Sequence, residues 1–164
     1  MKITLLASLL VMAAYFLLLY AGVGLIQEKK FFSSAPREVF AAVPERKAKR
    51  FRGAHILGWY LGILAMLLFL GTAVLAAWDG VRNGFTFGAF FARYLVILYV
   101  MEVYDILFFD WVLLCHSNFF PHFYPEVKGI AAPQLFGYNK KAHLTHFLLY
   151  IPLSAALAWV CTLF

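Results

Sequence analysis

The sequence predicts an all-α polytopic membrane protein: one domain over residues 1–164, with four transmembrane helices and a short amphipathic interfacial helix between helices 1 and 2. Three observations carry this prediction. Apolar residue types make up 64% of the chain and charged ones 13%, with mean hydropathy +0.81, which is more apolar material than a soluble core of this size needs. Four apolar runs, Ile3 to Ile26, Ala54 to Trp78, Phe90 to Leu114 and Ala142 to Phe164, each reach the roughly 20 residues that cross about 30 Å of hydrocarbon. The runs are continuous rather than alternating and too few to close a barrel, so strands are disfavoured.

The first run has only Lys2 before it, exceeds the length of a secretory h-region and lacks a small-residue cleavage site, so it reads as a retained helix. Ser34, Pro36 and Glu38 then resemble a helix start, with Val39, Phe40 and Val43 at helical spacing, and this is the expected interfacial helix. The run "ERKAKRFRG" is expected to extend helix 2 outward. Helix 2 itself holds Gly58 and Gly62, a spacing that permits close helix approach. The loop after helix 3 is crowded with aromatic residues and prolines, as suits a segment packed at a membrane surface. In helix 4, Pro152 releases the carbonyl of Leu148, which then needs another partner.

Charge sets the orientation. Residues 27–53 carry eight lysines and arginines against three glutamates, so the positive-inside rule makes that loop cytoplasmic, together with 115–141, and leaves both termini external. The formal charge of +6 is thereby accounted for by topology and by anionic lipid headgroups at the 27–53 loop, without a nucleic-acid partner. Cys115 and Cys161 fall at opposite membrane faces and cannot pair within one chain.

Helix 3 contains the features that most need explaining. Glu102, Asp105 and Asp110 lie within an apolar run, and an ionisable group at bilayer depth is functional by default. At about 100° per residue Glu102 and Asp105 share one face with His116, while Asp110 points toward another neighbour. A ruler of about 1.5 Å per residue starting from His116 puts Asp110 about 9 Å deep and Glu102 about 21 Å deep, near the midplane. The same ruler on the other helices sets Tyr15, Met66 and Pro152 level with Asp105. Glu102 and Asp105 are then expected to titrate as a pair, because repulsion and desolvation both favour the neutral acid.

All five histidines, His55, His116, His122, His143 and His146, map to the expected cytoplasmic side. His143 and His146 stand at i and i+3, so both imidazoles can face one centre. With His116 or His122 and a carboxylate from Asp110 or Glu126, they are candidate ligands for a divalent transition metal. The site therefore reads first as a cytoplasm-facing, metal-dependent enzyme acting on a lipid or other membrane-soluble substrate, with Glu102, Asp105 and Asp110 as candidate catalytic carboxylates. Two alternatives stay open. One is a proton- or cation-coupled carrier loading at Glu102 and Asp105, which with four helices would call for a homo-oligomer; the other is a non-catalytic membrane subunit.

The stretch "DILFFDWVLLC", followed by "FFPHFYPE" and "HLTH", resembles a group of bacterial inner-membrane proteins of unassigned function that share an Asp-x4-Asp-Trp helix. The resemblance rests on Asp105, Asp110, Trp111, Pro125 and Glu126. It implies four helices in a bacterial cytoplasmic membrane, and no particular reaction.

Overall fold

A computed structural model describes residues 2–130 and 133–164. The described chain is helical, and its only strand-like feature is an isolated antiparallel bridge between Glu28 and Arg46. Helix α1, Lys2–Leu19, continues as a wider π-type turn over Tyr20–Ile26. A 3-10 turn at Lys29–Phe32 leads to α2, Arg37–Ala42, and then come α3, Ala54–Arg82, and α4, Phe87–Tyr104. From Asp105 to Cys115 the chain winds as a π-helix. The short α5, Phe119–Phe123, and two further 3-10 turns precede α6, Lys140–Cys161.

Among the described residues three helices are long and apolar enough to cross a membrane: Lys2–Ile26 (25 residues), Ala54–Arg82 (29) and Lys140–Cys161 (22). Their apolar side chains are largely unburied, as at Leu9, Leu67, Leu70, Val74, Leu148 and Leu149. Exposed apolar surface on this scale fits a membrane protein. The fourth run is also helical, but it carries Arg93, Glu102, Asp105 and Asp110 and falls outside that apolar set.

The chain forms two compact units. One comprises the chain up to Ala14, Leu67–Tyr104 and Lys140–Phe164; the other comprises Tyr15–Met66 and Asp105–Asn139.

In the first unit, small residues let helices approach closely. Ala7, Ala76 and Ala158 are fully buried beside Phe90, Tyr94 and Ile97. A Cβ at Gly80 would meet Phe90 Cε1 at 2.1 Å, so only glycine lets that ring lie on α3. Arg93 ties α4 to α3 by donating to the Ala76 carbonyl and to Asp79 Oδ2, both at 2.7 Å. The carboxylate partner of Arg93 is thus Asp79, in the last turns of α3. Helices α4 and α6 run antiparallel, as successive pairings show: Tyr94 Oη with Cys161 Sγ, Tyr99 Oη donating to the Phe147 carbonyl, and Glu102 with His143. The Tyr99 bond reaches the carbonyl one residue before Leu148, whose own carbonyl Pro152 had been expected to free.

The second unit is built on aromatic packing, with Val23, Phe32, Val39, Leu114, Phe123, Tyr124 and Val127 buried together. Helix α2 forms where expected and buries Val39, but no side chain caps it, and Ser34 instead accepts a hydrogen bond from Tyr138 Oη through its carbonyl. The basic run does not extend the second long helix. Lys29 N and Lys47 N bond to the carbonyls of Glu45 and Gln27, which holds the strands of this loop together, and Gly53 turns at φ +92° before α3 begins at Ala54. Clustered like charges gain nothing from a helical register here, whereas the crossed backbone bonds satisfy the peptide groups. Of the two glycines in "GWYLG", Gly58 lies against Ile26, and a Cβ there would meet Ile26 Cγ1 at 2.7 Å; Gly62 faces open space.

Candidate metal centre

The site lies in the first unit, where α4 supplies Glu102 and α6 supplies His143, His146 and Tyr150. Positions 143, 146 and 150 are i, i+3 and i+7, one stripe of a helix, so a single straight α6 presents all three side chains in the same direction. Glu102 Oε1 lies 2.7 Å from His143 Nδ1 and 3.0 Å from His146 Nδ1, and Oε2 accepts from Tyr150 Oη at 2.9 Å. The side chains of Glu102 and His143 are 2% and 7% exposed, and that of His146 is 44% exposed. The site is therefore closed at the carboxylate and open at one imidazole.

An ionised carboxylate only accepts hydrogen bonds, so three donors converge on it and each imidazole offers Nδ1–H. With both imidazoles neutral the cluster carries one net negative charge. Among the described residues no lysine or arginine lies within ion-pair distance of Glu102. A buried charge without compensation is expensive, so the cluster is electrostatically suited to a cation, either an added proton or a metal ion. Glu102, His143 and His146 each offer a ligand atom, and these atoms all lie within 4.8 Å of one another. Ligands at about 2.0–2.2 Å around a tetrahedral ion stand about 3.3 Å apart, so the carboxylate–imidazole spacings of 2.7 and 3.0 Å would open by about 0.3–0.6 Å around a metal. Two imidazoles and one carboxylate suit zinc or ferrous iron and leave coordination positions for water or substrate.

The expected ligands separate. His143 and His146 come together as their spacing indicates. His116 and His122 belong to the second unit, where His116 Nδ1 lies 2.7 Å from the Trp111 carbonyl and His122 Nε2 lies 3.3 Å from an Arg50 guanidinium nitrogen. Glu126, one candidate carboxylate, is bound at 2.8 Å by Lys47 through both oxygens. Asp105 and Asp110 stand in the π-helical segment, and their charges, after burial, push the Tyr138 hydroxyl pKa upward.

Glu102 requires a correction of depth. It sits level with His143, in the first turn of α6. A ruler laid on each helix separately carries no information about the register of α4 against α6, which brings Glu102 beside His143, and the π-helical winding of Asp105–Cys115 adds a smaller departure from constant rise. Tyr150 was missed altogether, although its position four residues after His146 was the available signal.

The fold and this cluster define a class: an all-α protein whose apolar helices fit a membrane and whose His/Glu group is close enough to bind a metal. No family model, no curated protein and no solved structure matches the chain.

Proposed function

We propose that the protein is a four-span metalloprotein of a bacterial cytoplasmic membrane, in which a divalent transition metal on Glu102, His143 and His146 serves a reaction on a lipid or other membrane-soluble substrate. The observation that carries this reading is the convergence of two imidazoles on one buried carboxylate oxygen that has no lysine or arginine within ion-pair distance among the described residues. Bound there, the metal would polarise a substrate oxygen or activate a water. Tyr150 holds Oε2, which keeps the Glu102 carboxylate oriented and places a phenolic proton beside the site. The fourth span, Phe87–Cys115, is supported by the way Arg93 and Glu102 are bonded to Asp79 and to the histidines, since charged groups in a spanning helix need internal partners.

Metal analysis of detergent-purified protein from metal-replete cells tests the reading. About one ion per chain is expected, lost in Glu102→Gln and His143→Ala and kept in His116→Ala and His122→Ala. Metal-free wild-type protein overturns it. Orientation is tested separately in a Cys-free background: a cysteine at Ser34 should resist membrane-impermeant thiol reagents in intact cells while one at Asn83 reacts, and the reverse pattern refutes a cytoplasmic 27–53 loop.

A second reading has its own support. Exposure rises from Glu102 through His143 to His146, the arrangement of a relay passing protons from a buried carboxylate to the surface. It calls for metal-free protein and a protonated-carboxyl infrared band that changes with pH and disappears in Glu102→Gln.

A further inference from the structure

The second unit contains an open groove of about 840 Å³ that the metal site does not use. It is divided by polarity. Phe16, Leu17, Leu113 and Phe119 form an apolar wall, and Arg50, Asn118 and His122 stand around the remainder. Arg50 is exposed, yet it is held in place: its guanidinium lies 4.8 Å over the Phe123 ring and 3.3 Å from His122 Nε2. Nearby cations are spent on carboxylates, Lys29 on Glu45, Lys30 on Glu28 and Lys47 on Glu126. Among the described residues no carboxylate lies within ion-pair distance of Arg50. A guanidinium fixed by a ring, with unspent donors, is matched to a phosphate or carboxylate group.

We propose that this groove binds one anionic phospholipid, with its phosphate on Arg50 and Asn118 and an acyl chain against Phe16, Leu17, Leu113 and Phe119. The apolar wall selects the lipid over a free anion, because a small anion gains nothing from four hydrocarbon side chains. The wall is also built on Lys2–Ile26, one of the helices apolar enough to cross a membrane. The proposal rests on the membrane reading and is independent of the metal.

Native mass spectrometry of the detergent-purified full chain tests it, using phosphatidylglycerol and phosphatidylcholine with identical acyl chains. One retained phosphatidylglycerol per chain is expected, with phosphatidylcholine at least about tenfold weaker, and Arg50→Gln should weaken phosphatidylglycerol about tenfold and erase the headgroup preference. Leu17→Trp, which fills the apolar side, should weaken both lipids. Lys49→Gln and Arg52→Gln should change neither, since these cations do not line the groove. Equal retention of the two lipids overturns the proposal. Loss in Arg52→Gln equal to that in Arg50→Gln also overturns it, by showing diffuse attraction to a basic surface. Displacement of the lipid by millimolar inorganic phosphate assigns the site to a free anion instead. The same spectra report bound metal, so failure here is distinguishable from failure of the metal site.

Discussion

Glu102 and Glu28 both meet histidine, yet their surroundings assign them different work. Glu28 accepts from Lys30 at 2.6 Å and lies 3.1 Å from His55, with all three side chains partly open to solvent. Its charge is neutralised by a lysine, and that ion pair with the lysine holds its carboxyl below the usual carboxylate range. Glu102 is 2% exposed and has two imidazoles and a phenol instead of a lysine. The same contrast extends through the two units: in the first, the buried Arg93 guanidinium pairs with Asp79, while the second leaves Lys29–Glu45 and Lys47–Glu126 at the surface. A buried carboxylate lacking a fixed cation is a place for an exchangeable one.

The largest effect should follow from removing that carboxylate's charge. Glu102→Gln is expected to weaken metal binding by more than about a hundredfold, because losing a ligand costs more than losing an outer-shell partner, whereas Glu28→Gln should leave metal content unchanged. If both variants lose metal equally, the distinction between the two sites fails; equilibrium dialysis with zinc or iron(II) decides it.

Next comes the buried pair. Arg93→Gln leaves Asp79, which is partly open to solvent, without its cation and Ala76 without its donor, and should cost about 1.5–3 kcal/mol, read as a lowered unfolding midpoint in detergent. Lys47→Gln, at an exposed pair, should cost less than about 1 kcal/mol. Equal losses would remove the contrast between buried and surface pairing.

Acid should produce the smallest effect. Glu126 is held below the ordinary carboxylate pKa, chiefly by the hydrogen bond from Lys47. A depressed folded-state pKa adds stability that is full above the unfolded value of about 4.3 and is lost as pH falls through the lower folded value. The unfolding midpoint should therefore decline slightly through that acid window in wild type and less so in Lys47→Gln. Identical slopes would show that the pair carries no linkage.

Much of this fold was legible because its causes are local. An apolar run of sufficient length needs no knowledge of its partners to be helical, and the i, i+3 spacing of His143 and His146 places both on one face wherever that helix packs. That the basic run before Ala54 leaves the helix was not legible, because Gly53 and the backbone bonds of Lys29 and Lys47 depend on segments meeting across the loop.

The sequence by itself determined the four long helical runs and the short α2, which side chains share a stripe on an α-helix, and that two of the five histidines could face a common point. Tertiary structure alone decided that Glu102 meets those histidines. That choice depends on the antiparallel register of α4 and α6, set along their length by Tyr94 against Cys161 and Tyr99 against the Phe147 carbonyl. Helical periodicity carries no information about sliding along the axis, so the packing of side chains between helices had to supply it.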